Sequence, residues 1–164
     1  MSLPRQITAD PSPLSPMSSR ILSFLTAHNT LTLATIGPKG RPHACALFYA
    51  VGPGPTLYFL SDPATTHAQH IGAGSQIAAA IQQDGQDWRE IRGLQLHGFA
   101  APCLTANEKA TAHQIYAARF PFVATASRLA EALARARYYQ IAPSWMRLTD
   151  NTLGFGHKEE WQGA

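Results

Sequence analysis

Apolar residues change their spacing several times along this chain, and each change marks an element. Ile21, Leu22, Phe24 and Leu25 recur at near-helical intervals behind Ser18, a good N-cap, so a short amphipathic helix is predicted over 18–28. From Thr30 to Ile36 polar and apolar residues alternate. Gly37-Pro38-Lys39-Gly40-Arg41-Pro42 then supplies turn chemistry before a second apolar run over 43–51, and the three segments predict a hairpin. Gly52-Pro53-Gly54-Pro55 is another tight connection, followed by an aromatic-rich strand over 56–61. Asp62-Pro63 ends that strand, and a short helix over 65–71 closes at Gly72 and Gly74.

Two further strands are predicted over 76–83 and 88–101, with Asp84-Gly85-Gln86-Asp87 turning between them. Thr105-Ala106-Asn107-Glu108 fits a capping box and opens a helix to about Ala118; after Pro121 an Ala-, Leu- and Arg-rich helix runs to about Ala136. Strand character returns over 138–148. After Thr149-Asp150-Asn151 a terminal segment carries Gly154-Phe155-Gly156 and reaches Trp161. Six to seven short strands with peripheral helices favour a small antiparallel barrel over a parallel sheet, although the pattern alone leaves other barrels open. Residues 1–17 hold four prolines among polar residues and read as an N-terminal arm, leaving 18–164 as a single domain.

Composition narrows the class. The chain has 164 residues, 45% of them hydrophobic and 14% charged, which suits one globular domain and excludes wholesale disorder. No apolar run approaches the ~20 residues of a membrane span and no signal peptide is evident, so a cytoplasmic location is expected. Cys45 and Cys103 lie in apolar, strand-like surroundings and are expected to be free thiols. The net charge of +3 comes from scattered Lys and Arg, which argues against nucleic acid and leaves a small anionic ligand open. No nucleophile elbow, Walker loop or dinucleotide fingerprint occurs. His67 and His70 stand three apart without the Glu or spacing of a zinc-protease helix, and two histidines do not complete a metal site, so none is expected.

The most informative stretch is Tyr58-Phe59-Leu60-Ser61-Asp62-Pro63-Ala64-Thr65-Thr66-His67-Ala68-Gln69-His70-Ile71, in which hydroxyls and a basic residue gather where a strand gives way to a helix. Such groups suit a phosphate, and they equally suit a plain N-capped helix. The strand, tight loop and Ser/Thr cluster resemble the FMN-phosphate segment of the pyridoxamine-phosphate-oxidase superfamily. There a Ser or Thr ends the strand and a Ser-Arg-Lys triplet begins the helix; Ser61, Thr65, Thr66 and His67 fall on those positions, with the two basic places altered. His67-Ala68-Gln69, Arg119-Phe120-Pro121 and Thr149-Asp150-Asn151-Thr152-Leu153-Gly154-Phe155-Gly156 bring the resemblance closest to the uncharacterised YhbP-like branch.

That resemblance implies a mainly β, six- to seven-stranded antiparallel split barrel with peripheral helices. It further implies a homodimer holding FMN at the subunit interface and a flavin-dependent oxidoreductase acting on a small molecule. The flavin ring would lie along Ala44, Cys45, Ala46 and Leu47, and the phosphate near Leu60, Ser61, Thr65, Thr66 and His67. Arg92 would add a polar contact, and Asn151, Phe155, His157 and Lys158 would complete the partner's pocket. Tyr116 and Arg119 match substrate-phosphate residues of the true oxidases, but the oxidases' C-terminal Arg-x-His segment has no counterpart, so pyridoxamine phosphate is not implied as substrate. The alternative on the same fold is a non-enzymatic carrier or sensor of FMN or haem; a third is a scaffold that has lost its cofactor.

Overall fold

The computed structural model describes residues 17–163. The expected arm therefore lies outside the described residues except for Met17, which packs against the core. Helix α1 (Ser19–Ala27) is capped by the Ser18 hydroxyl, which accepts from the Ile21 amide at 3.2 Å, and it buries Ile21, Phe24 and Leu25. Strands β1 (Thr30–Ile36) and β2 (Pro42–Phe48) form the expected hairpin. The single apolar run expected over 43–51 divides at Tyr49 into β2 and a two-residue β3 (Ala50–Val51). Tyr49 is 1% exposed, and its hydroxyl donates to the Leu25 carbonyl at 2.7 Å; anchoring this corner turns the run away from β1.

After β4 (Leu57–Ser61) comes the six-residue α2 (Thr66–Ile71), closed by Gly72 at φ 54°, where a side chain would be strained. Strands β5 (Ser75–Gln82) and β6 (Arg92–Pro102) pair along their length. The strand expected from 88 starts only at Arg92. Asp87 accepts from the Arg89 amide through its side chain and from the Glu90 amide through its carbonyl, which holds 88–91 in a turn that competes with the ladder. Helix α3 (Ala106–Arg119) carries both halves of the capping box between Thr105 and Glu108. The second helix expected here breaks into α4 (Phe122–Thr125), a 3-10 turn and α5 (Ala130–Arg135). None of the three fully buries a residue; only Phe122 and Val123 at the start of the run pack against the cluster of Tyr116 and Phe120, which is too little to hold it in one rod.

The 14-residue β7 (Arg137–Asp150) is the spine of the sheet, pairing with β6, with β4 and with β8 (Lys158–Gln162). The path runs β2-β1-β5-β6-β7-β4-β3, entirely antiparallel in its ladders, and β8 joins at β7. Between His97 and Gly98 the β6–β7 register shifts; a Cβ on Gly98 would stand 2.3 Å from the Ala142 carbonyl oxygen, so glycine is required at the bulge. The sheet curls round Leu31, Leu33, Phe59, Ile81, Leu94, Leu96 and Ile141 from its strands, with α1 and Ile71 of α2 closing the core. No helix of the described residues is long and apolar enough to cross a membrane.

Among the described residues the curl does not close by a ladder: residues 42–48 pair with β1 and residues 50–51 pair with β4, but β2 and β4, though near each other, do not pair, which leaves a split between them. Helix α2 packs into this region against β1 and β2.

Candidate functional site

The split is spanned by one imidazole. His67, the second residue of α2, is 7% exposed; its Nδ1 meets Cys45 Sγ of β2 at 3.3 Å and its Nε2 meets Ser61 Oγ of β4 at 2.7 Å. Nε2 also lies 3.1 Å from Thr65 Oγ1, which stands 3.1 Å from Ser61 Oγ. The Thr65 hydroxyl donates to the Asp62 carbonyl at 2.8 Å, which commits its only proton. For a neutral His67 one proton assignment satisfies every contact: Ser61 donates to Thr65, His67 Nε2–H donates to Ser61 and Thr65, and the Cys45 thiol donates to His67 Nδ1. The lone pair of that ring then faces Cys45. Burial, and then the imidazoles of His43 and His70, hold the His67 pKa below its ordinary 6.5, while burial raises the Cys45 thiol.

Local sequence explains the gathering. Alternation on β2 puts His43 and Cys45 on one face, both half-buried, while Ala44, Ala46 and Phe48 point outward and are exposed. The His43 ring lies nearly parallel to His67 at 6.4 Å and edge-on to His70 at 5.7 Å. The ligating atoms of His43, Cys45 and His67 all fall within 4.8 Å of one another. His70 is held elsewhere, its Nδ1 3.0 Å from Thr35 Oγ1. Arg137 of β7 is the register partner of Ser61 and makes no ion pair among the described residues.

The fold thus brings together Cys45, Ser61, Thr65 and His67. Leu47 is half-buried at the edge of the core, Leu60 packs toward Ala50 and Tyr116, and Thr66 is exposed. The second group of expected residues lies elsewhere. Arg92 starts β6, and the α2 end of that strand, at Ala100, is about 26 Å away at 3.3 Å per residue. Arg92 pairs at 3.2 Å with Asp150, which also takes Arg20 at 3.2 Å. Burial alone would raise the Asp150 carboxyl, but hydrogen bonds from Thr152, the charge of Arg92 and the bond from Arg20 hold it below the usual range.

Asn151 accepts from the Gly156 amide and donates to the Trp88 carbonyl, tying the β7–β8 turn to the 88–91 loop. Phe155 is 83% exposed and meets the exposed Trp88 edge-on. His157 and Lys158 are exposed beside that turn. Within one chain, then, Asn151 serves the turn and Arg92 serves Asp150. Arg119 donates to the Thr26 and His28 carbonyls, joining α3 to the end of α1, and Tyr116 is buried. A groove of about 280 Å³ lies beside Arg92, Phe24, His28 and Thr152, and a larger one of about 540 Å³ runs past His28, Thr32 and Gln82. Neither touches the His67 cluster.

Sequence reasoning missed His43, Arg137 and Asp150. Strand parity could have paired His43 with Cys45, two residues on. That His67 reaches both, and that Arg137 stands beside Ser61, depends on ladders joining distant segments.

The sequence profile of the family described as pyridoxamine 5'-phosphate oxidase matches residues 17–150. A UPF0306 protein of Klebsiella pneumoniae is 34% identical over 106 residues, 65% of this chain and 66% of that protein. A UPF0306 protein YhbP of Salmonella schwarzengrund is 35% identical over 105 residues, 64% of this chain and 65% of its own. The chain therefore spans about two thirds of the length of these relatives. Among solved structures, a conserved hypothetical protein of Mycobacterium tuberculosis superposes with TM-score 0.70 at 21% identity, covering 92% of this chain and 95% of that one. The heme storage protein HutZ of Vibrio cholerae gives TM-score 0.62 at 18% identity over 76% and 87% of the two chains. A FAD-binding protein of Mesorhizobium loti gives 0.60 at 17% over 79% and 90%. These likenesses share the split-barrel fold.

Proposed function

Because the chain belongs to the pyridoxamine 5'-phosphate oxidase family, within its YhbP-like branch, we propose that it is an FMN-binding protein working as a homodimeric oxidoreductase on a small molecule. The observation that carries this reading is β2, no residue of which is fully buried and whose outward face offers the methyl groups of Ala44 and Ala46, while its other face meets the hydroxyls that end β4 through His67. A planar ring can approach such a strand closely.

The residues fit the two parts of FMN unequally. For the ring, the small outward side chains of β2 leave room. For the phosphate, the exposed Thr66 offers a hydroxyl, while Ser61 and Thr65 would have to turn their protons away from Thr65 and from the Asp62 carbonyl; His67 is neutral and turned inward, so it positions Ser61 and Thr65 rather than supplying charge. The cation for a phosphate here is Arg137, beside Ser61 and without an ion pair among the described residues. Bound FMN would supply hydride or electron transfer, which explains why no acid–base dyad is needed among the side chains. In the dimer, the Trp88–Phe155 pair and His157 of one chain would face the β2 edge of the other.

FMN titration of the purified chain, with molar mass by light scattering, tests the proposal; one FMN per chain in a dimer is expected. A folded protein indifferent to FMN overturns it. The second reading, a haem carrier, draws support from HutZ, described as a heme storage protein, and from the half-buried imidazole of His43. Haem titration distinguishes it by a Soret shift that His43→Ala abolishes.

A further inference from the structure

We propose that His43, Cys45 and His67 form a three-ligand site for a divalent transition-metal ion of the zinc class, with its fourth position open at the split. The three donor atoms lie within 4.8 Å of one another, and Cys45 Sγ is 3.3 Å from His67 Nδ1. Metal–sulfur and metal–nitrogen bonds of about 2.3 and 2.0–2.1 Å place tetrahedral ligands about 3.5 Å apart, so the cluster needs to close by only about an ångström. A thiolate with two imidazoles is the soft, nitrogen-rich set that zinc favours over magnesium or calcium.

The surroundings of His67 argue for a ligand as well as for a packed side chain. A histidine placed only to satisfy Ser61 and Thr65 needs neither a sulfur on its other nitrogen nor a second imidazole beside it. Here Nε2 is held by Ser61 at 2.7 Å and by Thr65 at 3.1 Å, which fixes the tautomer and leaves the Nδ1 lone pair aimed at Cys45. That is how protein metal sites orient their histidines, through an outer hydrogen bond on the far ring nitrogen. The metal would take the place of the thiol proton: the metal–sulfur bond forms as the S–H bond breaks, and the proton leaves to solvent. His43 and Cys45 are half-buried while His67 is buried, so solvent reaches the cluster from the β2 side, where a fourth ligand would enter. His70 stays outside the ligand set, bound to Thr35.

Co²⁺ titration of the full chain, reduced, stripped with a chelator and free of FMN, tests this site independently of flavin binding. One Co²⁺ per chain is expected, with a near-ultraviolet thiolate-to-cobalt band and displacement by Zn²⁺. Cys45→Ser should abolish the band and Cys103→Ala should keep it. Ser61→Ala should keep it too, while weakening affinity about 10–100-fold by freeing the far side of His67. Should Cys45→Ser not fold, His43→Ala, a change at a half-buried edge position, must weaken Co²⁺ binding about tenfold or more. Absence of saturable Co²⁺ uptake by the folded wild-type chain, a band that survives Cys45→Ser, or unchanged affinity in His43→Ala overturns the proposal.

Discussion

Asp150 and His67 are buried to nearly the same degree, 3% and 7% exposed, near opposite ends of one curled sheet, yet their surroundings differ in kind. Asp150 is a charge met by charges: Arg20 and Arg92 pair with it, and Thr152 donates to it through amide and hydroxyl. Its hydrogen-bonding needs are met within the chain. His67 meets no carboxylate among the described residues: two hydroxyls settle its far nitrogen, and a thiol stands at its near nitrogen with the ring of His43 beside it. A buried carboxylate with matched partners holds a fold together. A buried neutral imidazole whose lone pair is held by so weak a donor as a thiol has capacity to bind something else.

β7 carries Asp150 at one end and pairs with Ser61 at the other, so the largest loss is expected from a change that disturbs its long ladder with β6. Gly98→Ala puts a methyl into the Ala142 carbonyl and should cost about 3 kcal/mol, read as a lower urea midpoint. Next, Asp150→Ala leaves two arginines without their carboxylate and should cost about 2 kcal/mol at neutral pH, less than for a fully enclosed pair because both arginines are half-exposed. The folded Asp150 carboxyl titrates below its ordinary value of 3.8, so its stabilisation is present above that pH and is lost as pH falls through the folded value. Thermal melts of wild type and variant should therefore converge on acidification below about pH 4; a constant gap would show that Asp150 acts by packing.

The His67 end should respond at milder pH and more weakly. Its imidazole titrates below 6.5 when folded, so the unfolded chain takes up the proton first and stability falls as pH drops from about 7 through that value. His67→Gln should flatten this part of the curve. If it does not, the buried imidazole is not the titrating group and the contrast with Asp150 fails. The smallest effect is expected from Cys45→Ser, under about 1 kcal/mol, because Cys45 is half-buried on a strand at the margin of the sheet.

Much of this was legible beforehand because it is local. Alternation over Thr30–Ile36, the Ser18 cap and the Thr105–Glu108 capping box involve neighbours only, and they appear as expected. The strand start at Arg92 was misjudged because Asp87 supplies a competing turn whose strength composition does not reveal. The helix after Pro121 was overestimated because an Ala- and Leu-rich run looks helical whether or not it finds a surface to cover. Of the site, the Ser61 to His67 segment was readable as a strand-to-helix junction. The inward turn of His67 was not, since it is set by a gap between β2 and β4 that arises only when Tyr49 anchors the corner.

The order in which the sheet can assemble follows from β7. Apart from two residues of β3, the strand partner of β4 is residues 137–141, and the outer partner of β6 is residues 139–150 of β7. During synthesis, the junction carrying Ser61, Thr65 and His67 therefore waits for a segment more than seventy residues downstream to leave the ribosome. Until then β2, β1, β5 and β6 can pair as a four-stranded sheet, while β4 has only the two residues of β3 to pair with and its apolar residues stay open to chaperones.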